Sequence, residues 1–288
     1  MNDRETETGE TTAGGGRAKD ARVRRSVIAG TWYPGDPRTL RAMVDDLLGQ
    51  VPTQTIEGDL VGLVSPHAGY VYSGQVAAYA YALLRGRSFS HVAVVSPVHR
   101  VYPGRFGVTV HDCYETPLGP VPVDGELLEA LAHDVHVDRV SEDKEHSLEI
   151  QLPFLQTVLG QFSLLPIMMG DQDWRSCAEL GRSLARIIQA SRDPVLLVAS
   201  TDLSHFHPYE EAVRLDRKVT DLISAYRPEA LIAGRLEACG IGPVAAVMVA
   251  AESLGANKAV VLKYMNSGDV TGDRSSVVGY AAAALLRT

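Results

Sequence analysis

Three runs of apolar residues constrain this chain most, because each ends in the same way. VGLVSPHAGY stops on His67, HVAVVSPVHR on His99, and PVLLVASTDLSH on Asp202 and His205. The runs are apolar without alternation, so both faces of each strand must be covered, and that calls for a mostly parallel sheet with helices on either side. Further strands are expected at 163–169, 259–265 and 276–283, beside 59–65, 91–96 and 194–200. Helices are expected at 37–49, 74–85, 125–133, 145–159, 173–190, 209–225, 228–238 and 243–254. Strands alternating with helices give an α/β fold, a single domain with a mostly parallel central sheet flanked by helices. The segment 102–123, rich in Pro, Gly and β-branched residues, reads as a hairpin excursion over one rim.

In an open α/β sheet, ligands bind outside the carboxyl ends of the strands, so residues far apart in sequence can meet there. His67, His99, Asp202 and His205 are therefore expected to face one cleft. A single histidine after a strand is commonly a hydrogen-bonded structural residue. Three such endings are harder to ascribe to packing, since each buried imidazole needs a partner or a metal. Two more segments join them. In EACGIGPVAAVMVAA, Gly240 and Gly242 make a tight turn and Pro243 opens a helix, which leaves Cys239 near a helix N-terminus that favours its thiolate. In EDKEHSLEIQLPFL, Glu145 and Glu149 share a helical face, where acids are commonly dipole partners, and His146 lies between them as a site candidate.

Composition excludes other classes. The 288 residues carry a formal net charge of -8 and show no Lys/Arg cluster, so no nucleic-acid partner is expected. Cys113, Cys177 and Cys239 form no CxxC pair, which fits a reducing cytoplasm. Residues 1–24 are Gly-, Thr- and charge-rich without an apolar stretch, and read as a disordered tail before a domain over 25–288, with no membrane segment.

The segments GTWYPGDP, PHAGYVYSG, SPVHR, EHSLEIQLPFL, STDLSH, CGIGPV and YMNSGDVTGDRSSVVGYAAAAL together resemble the Memo family, called AmmeMemoRadiSam system protein B in microbial genomes. The resemblance implies a fold similar to class III extradiol dioxygenases, non-haem iron enzymes with two histidines and a glutamate on the metal. By motif position it implies His67, His99 and Cys239 as metal ligands, with Asp202, His205 and His146 as catalytic candidates around them. Ser96 replaces a frequent glycine of the family, and Arg100 stands where a second histidine often follows. Cys239 replaces the dioxygenases' carboxylate, and the softer thiolate shifts preference toward copper(I), zinc or iron; iron or copper is the cofactor expected, with zinc less favoured. Ring-cleaving activity is therefore not expected. The leading expectation is a redox-active metal protein acting on an unknown small molecule. The alternatives are a peptide- or protein-binding module that reuses the cleft, and a zinc-dependent hydrolase. The family's microbial name also implies radical-SAM and AMME-domain proteins as partners.

Overall fold

The computed structural model describes residues 21–288 apart from 54 and 101. A short strand β1 (Val23–Arg24) precedes helix α1 (Pro37–Gly49), whose N-cap Asp36 accepts from the Thr39 N–H and whose first turn holds Pro37. Then come β2 (Asp59–Ser65), α2 (Tyr70–Tyr81), β3 (His91–Pro97), β4 (Phe106–Thr109), β5 (Cys113–Thr116), β6 (Gly119–Pro122), α3 (Gly125–Asp134) and β7 (Asp138–Val140). The chain continues through α4 (Leu152–Leu159), β8 (Ser163–Met169), α5 (Trp174–Ala190), β9 (Val195–Ser200), β10 (His205–His207) and α6 (Tyr209–Ser224). It closes with α7 (Pro228–Ala233), α8 (Ile241–Ser253), β11 (Lys258–Asn266), α9 (Ser267–Thr271) and β12 (Val277–Arg287).

The main sheet runs β10-β12-β2-β9-β3-β8-β4-β7, with β11 alongside β12. Its centre, β2-β9-β3-β8, is parallel, as the unalternating apolar runs require. The flanks turn antiparallel where β12 meets β2 and where β4 meets β8. Two cores result, one on each face. Ala93 and Val95 of β3 pack with α3, α5 and α8, while Val92 and Val94 pack with α1, α2 and α4. Each strand thus contributes alternate residues to opposite layers, and the molecule is a single α/β domain with a helix-flanked central sheet.

Several expectations shift. The helix expected over 145–159 is a loop at 145–148, a 3₁₀ turn at Glu149–Gln151, and then α4 with Pro153 in its first turn. The loop backbone is claimed from outside: Arg24 Nη2 donates to the Glu145 carbonyl (2.5 Å) and Ser200 Oγ to the Ser147 carbonyl (2.6 Å). Helix α2 starts four residues before the expected 74 and gives way to a 3₁₀ turn at Ala82–Leu84. The excursion at 102–123 does contain an antiparallel hairpin, β5–β6, but β4 joins the main sheet instead. Strand β10 and helix α9 were not anticipated.

The expected tail falls outside the described residues over 1–20. Its last residues, Val23 and Arg24, belong to the folded body: β1 pairs with β5, and Arg24 is buried against Glu149 and Asp143. Glu149 also accepts from Ser26 Oγ and Tyr33 OH, both at 2.6 Å. Its role is to bind the N-terminal strap to the body, and it lies on no helical face shared with Glu145. Among the described residues, no helix is long and apolar enough to cross a membrane.

Candidate functional site

β2, β9 and β3 lie side by side and parallel, with Ser65 opposite Ser200 and Val95 opposite Ala199. Their carboxyl ends therefore share one edge, and the residues two steps beyond them, His67, Asp202 and His99, converge. Cys239 reaches the same point from the turn ahead of α8. Gly240 makes that approach feasible: a Cβ there would lie 2.8 Å from Thr201 Cβ, and its N–H donates to Thr201 Oγ1 at 3.0 Å. Gln172 clamps the turn from the other side, donating to the Cys239 carbonyl (2.8 Å) and accepting from the Gly242 N–H (2.7 Å).

The hydrogen bonds around His67 determine its tautomer. Ser200 Oγ has one proton, and it goes to the Ser147 carbonyl, which can only accept. Gln151 Nε2 donates to Ser200 Oγ (2.9 Å), with its own orientation set by the Pro66 carbonyl and by Tyr81 OH. His67 Nδ1, 2.9 Å from the same oxygen, must therefore carry a proton and donate. The Nε2 lone pair is left facing Cys239 Sγ at 3.1 Å. That is the tautomer a metal ligand needs. Asp202 holds the loop by accepting from the His67 N–H at 2.7 Å, and its own N–H points at Cys239 Sγ (3.2 Å).

His99 is oriented by Glu145, whose Oε1 accepts from the N–H groups of His99 (2.7 Å) and Arg100 (2.5 Å), while Oε2 lies 3.4 Å from His99 Nδ1. His67, His99 and Cys239 each offer a ligand atom, all within 4.8 Å of one another. His99, Glu145 and His146 satisfy the same distance test. The imidazoles of His67, His99 and His146 cluster at centroid separations of 5.1, 5.5 and 4.6 Å, and Trp32 tilts against His146 at 4.3 Å.

Burial sets the electrostatics. It pushes His67 well below its ordinary value, helped by the neighbouring His99 and His205 charges. It takes His146 down to about 3. Both are neutral imidazoles at neutral pH. Burial raises the Asp202 carboxyl to about 6, against the hydrogen bond from the His67 N–H. On Glu145 burial also works upward, but hydrogen bonds from the His99 side chain and the His99 and Arg100 N–H groups outweigh it, leaving the carboxyl below its usual range. The expectation that the α8 N-terminus favours a Cys239 thiolate is overturned. Burial, then the Asp202 charge, push its thiol up, so a metal must displace that proton to gain the ligand.

The site opens into a cavity of about 710 Å³ whose wall includes His67, His99, His146, Asp202 and His205. All the sequence-predicted site residues thus come to one place, with Cys239 just behind the wall. Sequence reasoning missed Trp32, Ser200, Gln151 and Gln172. A serine closing an apolar strand carries no distinguishing signal, and the buried Gln151 and half-buried Gln172 become visible only through their partners. Trp32 lies in the quoted GTWYPGDP segment, where its aromatic character was the available hint.

The family model for Memo-like proteins matches residues 24–284. The chain belongs to the Memo-like family. A MEMO1 family protein of Methanopyrus kandleri is 36% identical over 281 residues, covering 92% of this chain and 99% of its own. One from Methanococcoides burtonii is 39% identical over 266 residues, covering 90% and 98%. Among solved structures, an uncharacterized protein from Escherichia coli K12 is similar at a TM-score of 0.55 and 13% identity, over 78% of this chain and 99% of that one. That likeness speaks to fold alone. In this Memo-like chain the segments that suggested the family also build the cleft: PHAGY brings His67, SPVHR brings His99, and CGIGPV brings Cys239.

Proposed function

We propose that this Memo-like protein binds iron or copper through His67, His99 and Cys239 and carries out redox chemistry on a small organic substrate held in the adjoining cleft. The observation that carries the reading is the meeting of three donors within 4.8 Å, with His67 held in the tautomer that leaves Nε2 free. Two imidazoles and a thiol fit iron or copper better than a hard, oxygen-seeking cation. Such a metal supplies reversible one-electron chemistry and open coordination positions.

The residues around it have separable tasks. Asp202, with its carboxyl near 6, can take up and return a proton close to neutral pH. His205, on the same cavity wall, is the second candidate base. His146 is too weakly basic for that task and serves as a neutral hydrogen-bond partner. Glu145 positions His99 through its loop N–H groups. Ring cleavage is not part of this reading, because a thiolate beside activated dioxygen is itself open to oxidation.

The deciding measurement is elemental analysis of protein purified without added metal, with optical and paramagnetic resonance spectra under reducing and oxidising conditions. Iron or copper with a redox-dependent spectrum is expected, and folded His67→Ala, His99→Ala and Cys239→Ala variants should each lose most of it. Zinc alone would favour a hydrolase instead. No metal at all would favour a cleft used for binding only.

A further inference from the structure

The proposed redox reading leaves the substrate open, and the cavity wall narrows it. None of the residues lining this cavity is Lys or Arg, while two are aspartates, Asp202 and Asp273. Arg274, the neighbour of Asp273, places its guanidinium over the Tyr209 ring, 3.8 Å from the centroid. Apart from the metal proposed on His67, His99 and Cys239, the wall therefore offers acceptors without a cationic side chain to offset them. His146, only 7% exposed, also lines the cavity, and its buried Nδ1 has no hydrogen-bond partner. Trp32, Tyr72 and Tyr280 add aromatic faces to a wall otherwise made of aspartates, histidines and small, aliphatic and hydroxyl residues.

Asp273 lies at the exposed rim of the cavity and is oriented by local hydrogen bonds. Helix α9 before it is closed by a capping box between Asn266 and Asp269 and ended by Gly272 in the left-handed region, φ 79. Its Oδ1 accepts from the Ser275 N–H (2.9 Å) and Oγ (2.7 Å), bonds that keep the carboxyl ionised. Aromatic faces together with carboxylates attract ammonium groups and repel anions.

Resting on the reading of this cavity as a substrate site, we propose that the substrate class is small organic amines bound as cations, with the ammonium toward Asp273 and the apolar part against Trp32 and Tyr72. Away from the metal, no side chain of the wall offers a carboxylate or phosphate a cation. The test uses three probes of nearly one shape on protein retaining its purified metal: phenethylamine, 2-phenylethanol and phenylacetate. Calorimetric titration should rank them in that order, with phenethylamine about tenfold or more tighter than phenylacetate, a difference that added salt shrinks. Asp273→Asn should bring the ratio close to one, and Asp273→Glu should restore much of it. Phenylacetate binding as tightly as phenethylamine, or a ratio unchanged in Asp273→Asn, overturns the proposal. Failure of all three probes to bind overturns it too, while metal content measured on the same sample reports separately on the metal site.

Discussion

Ser200 shows how much of the site depends on a residue that touches no substrate. Its hydroxyl donates to the Ser147 carbonyl and accepts from Gln151 and His67 Nδ1, so both lone pairs and the proton are used. Ser200→Ala leaves a buried imidazole N–H and a buried carbonyl without partners, at a cost of about 1–3 kcal/mol. It also frees the His67 ring to take the wrong tautomer, and metal affinity should fall roughly 10–100-fold, as losing such a supporting bond does elsewhere. Metal-competition titration checks the second effect and urea unfolding the first; unchanged affinity would remove Ser200 from the tautomer argument. His146 supplies a pH signature. Its folded value of about 3 lies below the ordinary imidazole value of about 6.5, so between these the unfolded chain holds a proton that the folded one does not. Stability therefore falls as pH drops from about 6.5 toward 3. At pH 5 the loss from this residue is about 2 kcal/mol. Unfolding midpoints of chelator-treated protein at neutral pH and near pH 5 should differ less in His146→Gln than in wild type, and equal differences would refute the assignment.

At the scale of elements, the N-terminal strap matters more than its two-residue strand suggests. Arg24 is 2% exposed, Glu149 is fully buried, and the pair ties β1 to the turn that leads into α4. Removing one member of a buried pair strands the other charge, typically at about 3–5 kcal/mol. Two truncations isolate this cost: chains starting at residue 21 and at residue 25 differ only in residues 21–24. The shorter chain should be less stable by about that amount in denaturant unfolding, with a smaller contribution from the exposed Arg22–Asp112 pair. Equal stability would mean that Glu149 finds a substitute partner. Because the Arg24 guanidinium also holds the Glu145 carbonyl, the shorter chain should bind metal more weakly as well.

The proposed metal site gathers donors from beyond β2, beyond β3 and ahead of α8, which are 32 and then 140 positions apart in sequence (67 to 99, 99 to 239). An ion held by all three binds the folded chain and not the unfolded one. At a free concentration about 100 times the dissociation constant it adds about 2.7 kcal/mol, which for a chain of this size is on the order of 5–10 °C in Tm. Metal-loaded protein should therefore melt higher than chelated protein, and Cys239→Ala should lose most of that rise. A full rise in the folded variant would take Cys239 out of the ligand set.

Much of this was legible in the sequence because apolar periodicity is local. Val92–Val95 and Leu196–Val198 must be covered on both faces wherever they sit, and that alone demands a central parallel sheet with helices around it. A sheet of that kind exposes its strand ends on one edge, so histidines at those ends were expected to meet. What could not be read is what depends on partners distant in sequence. EHSLEIQL has helical spacing, yet Arg24 and Ser200 claim the Glu145 and Ser147 carbonyls and hold its first four residues as a loop. Arg24 looked like part of a polar tail until Glu149 and Asp143 stood beside it. Cys239 looked poised as a thiolate by its place before α8, but burial and Asp202 push its proton affinity the other way. Pattern determined which segments become strands and helices; desolvation and long-range hydrogen bonding, which exist only once the chain has folded, decided the protonation of His67, His146, Asp202 and Cys239 and the orientation of the loops that carry them.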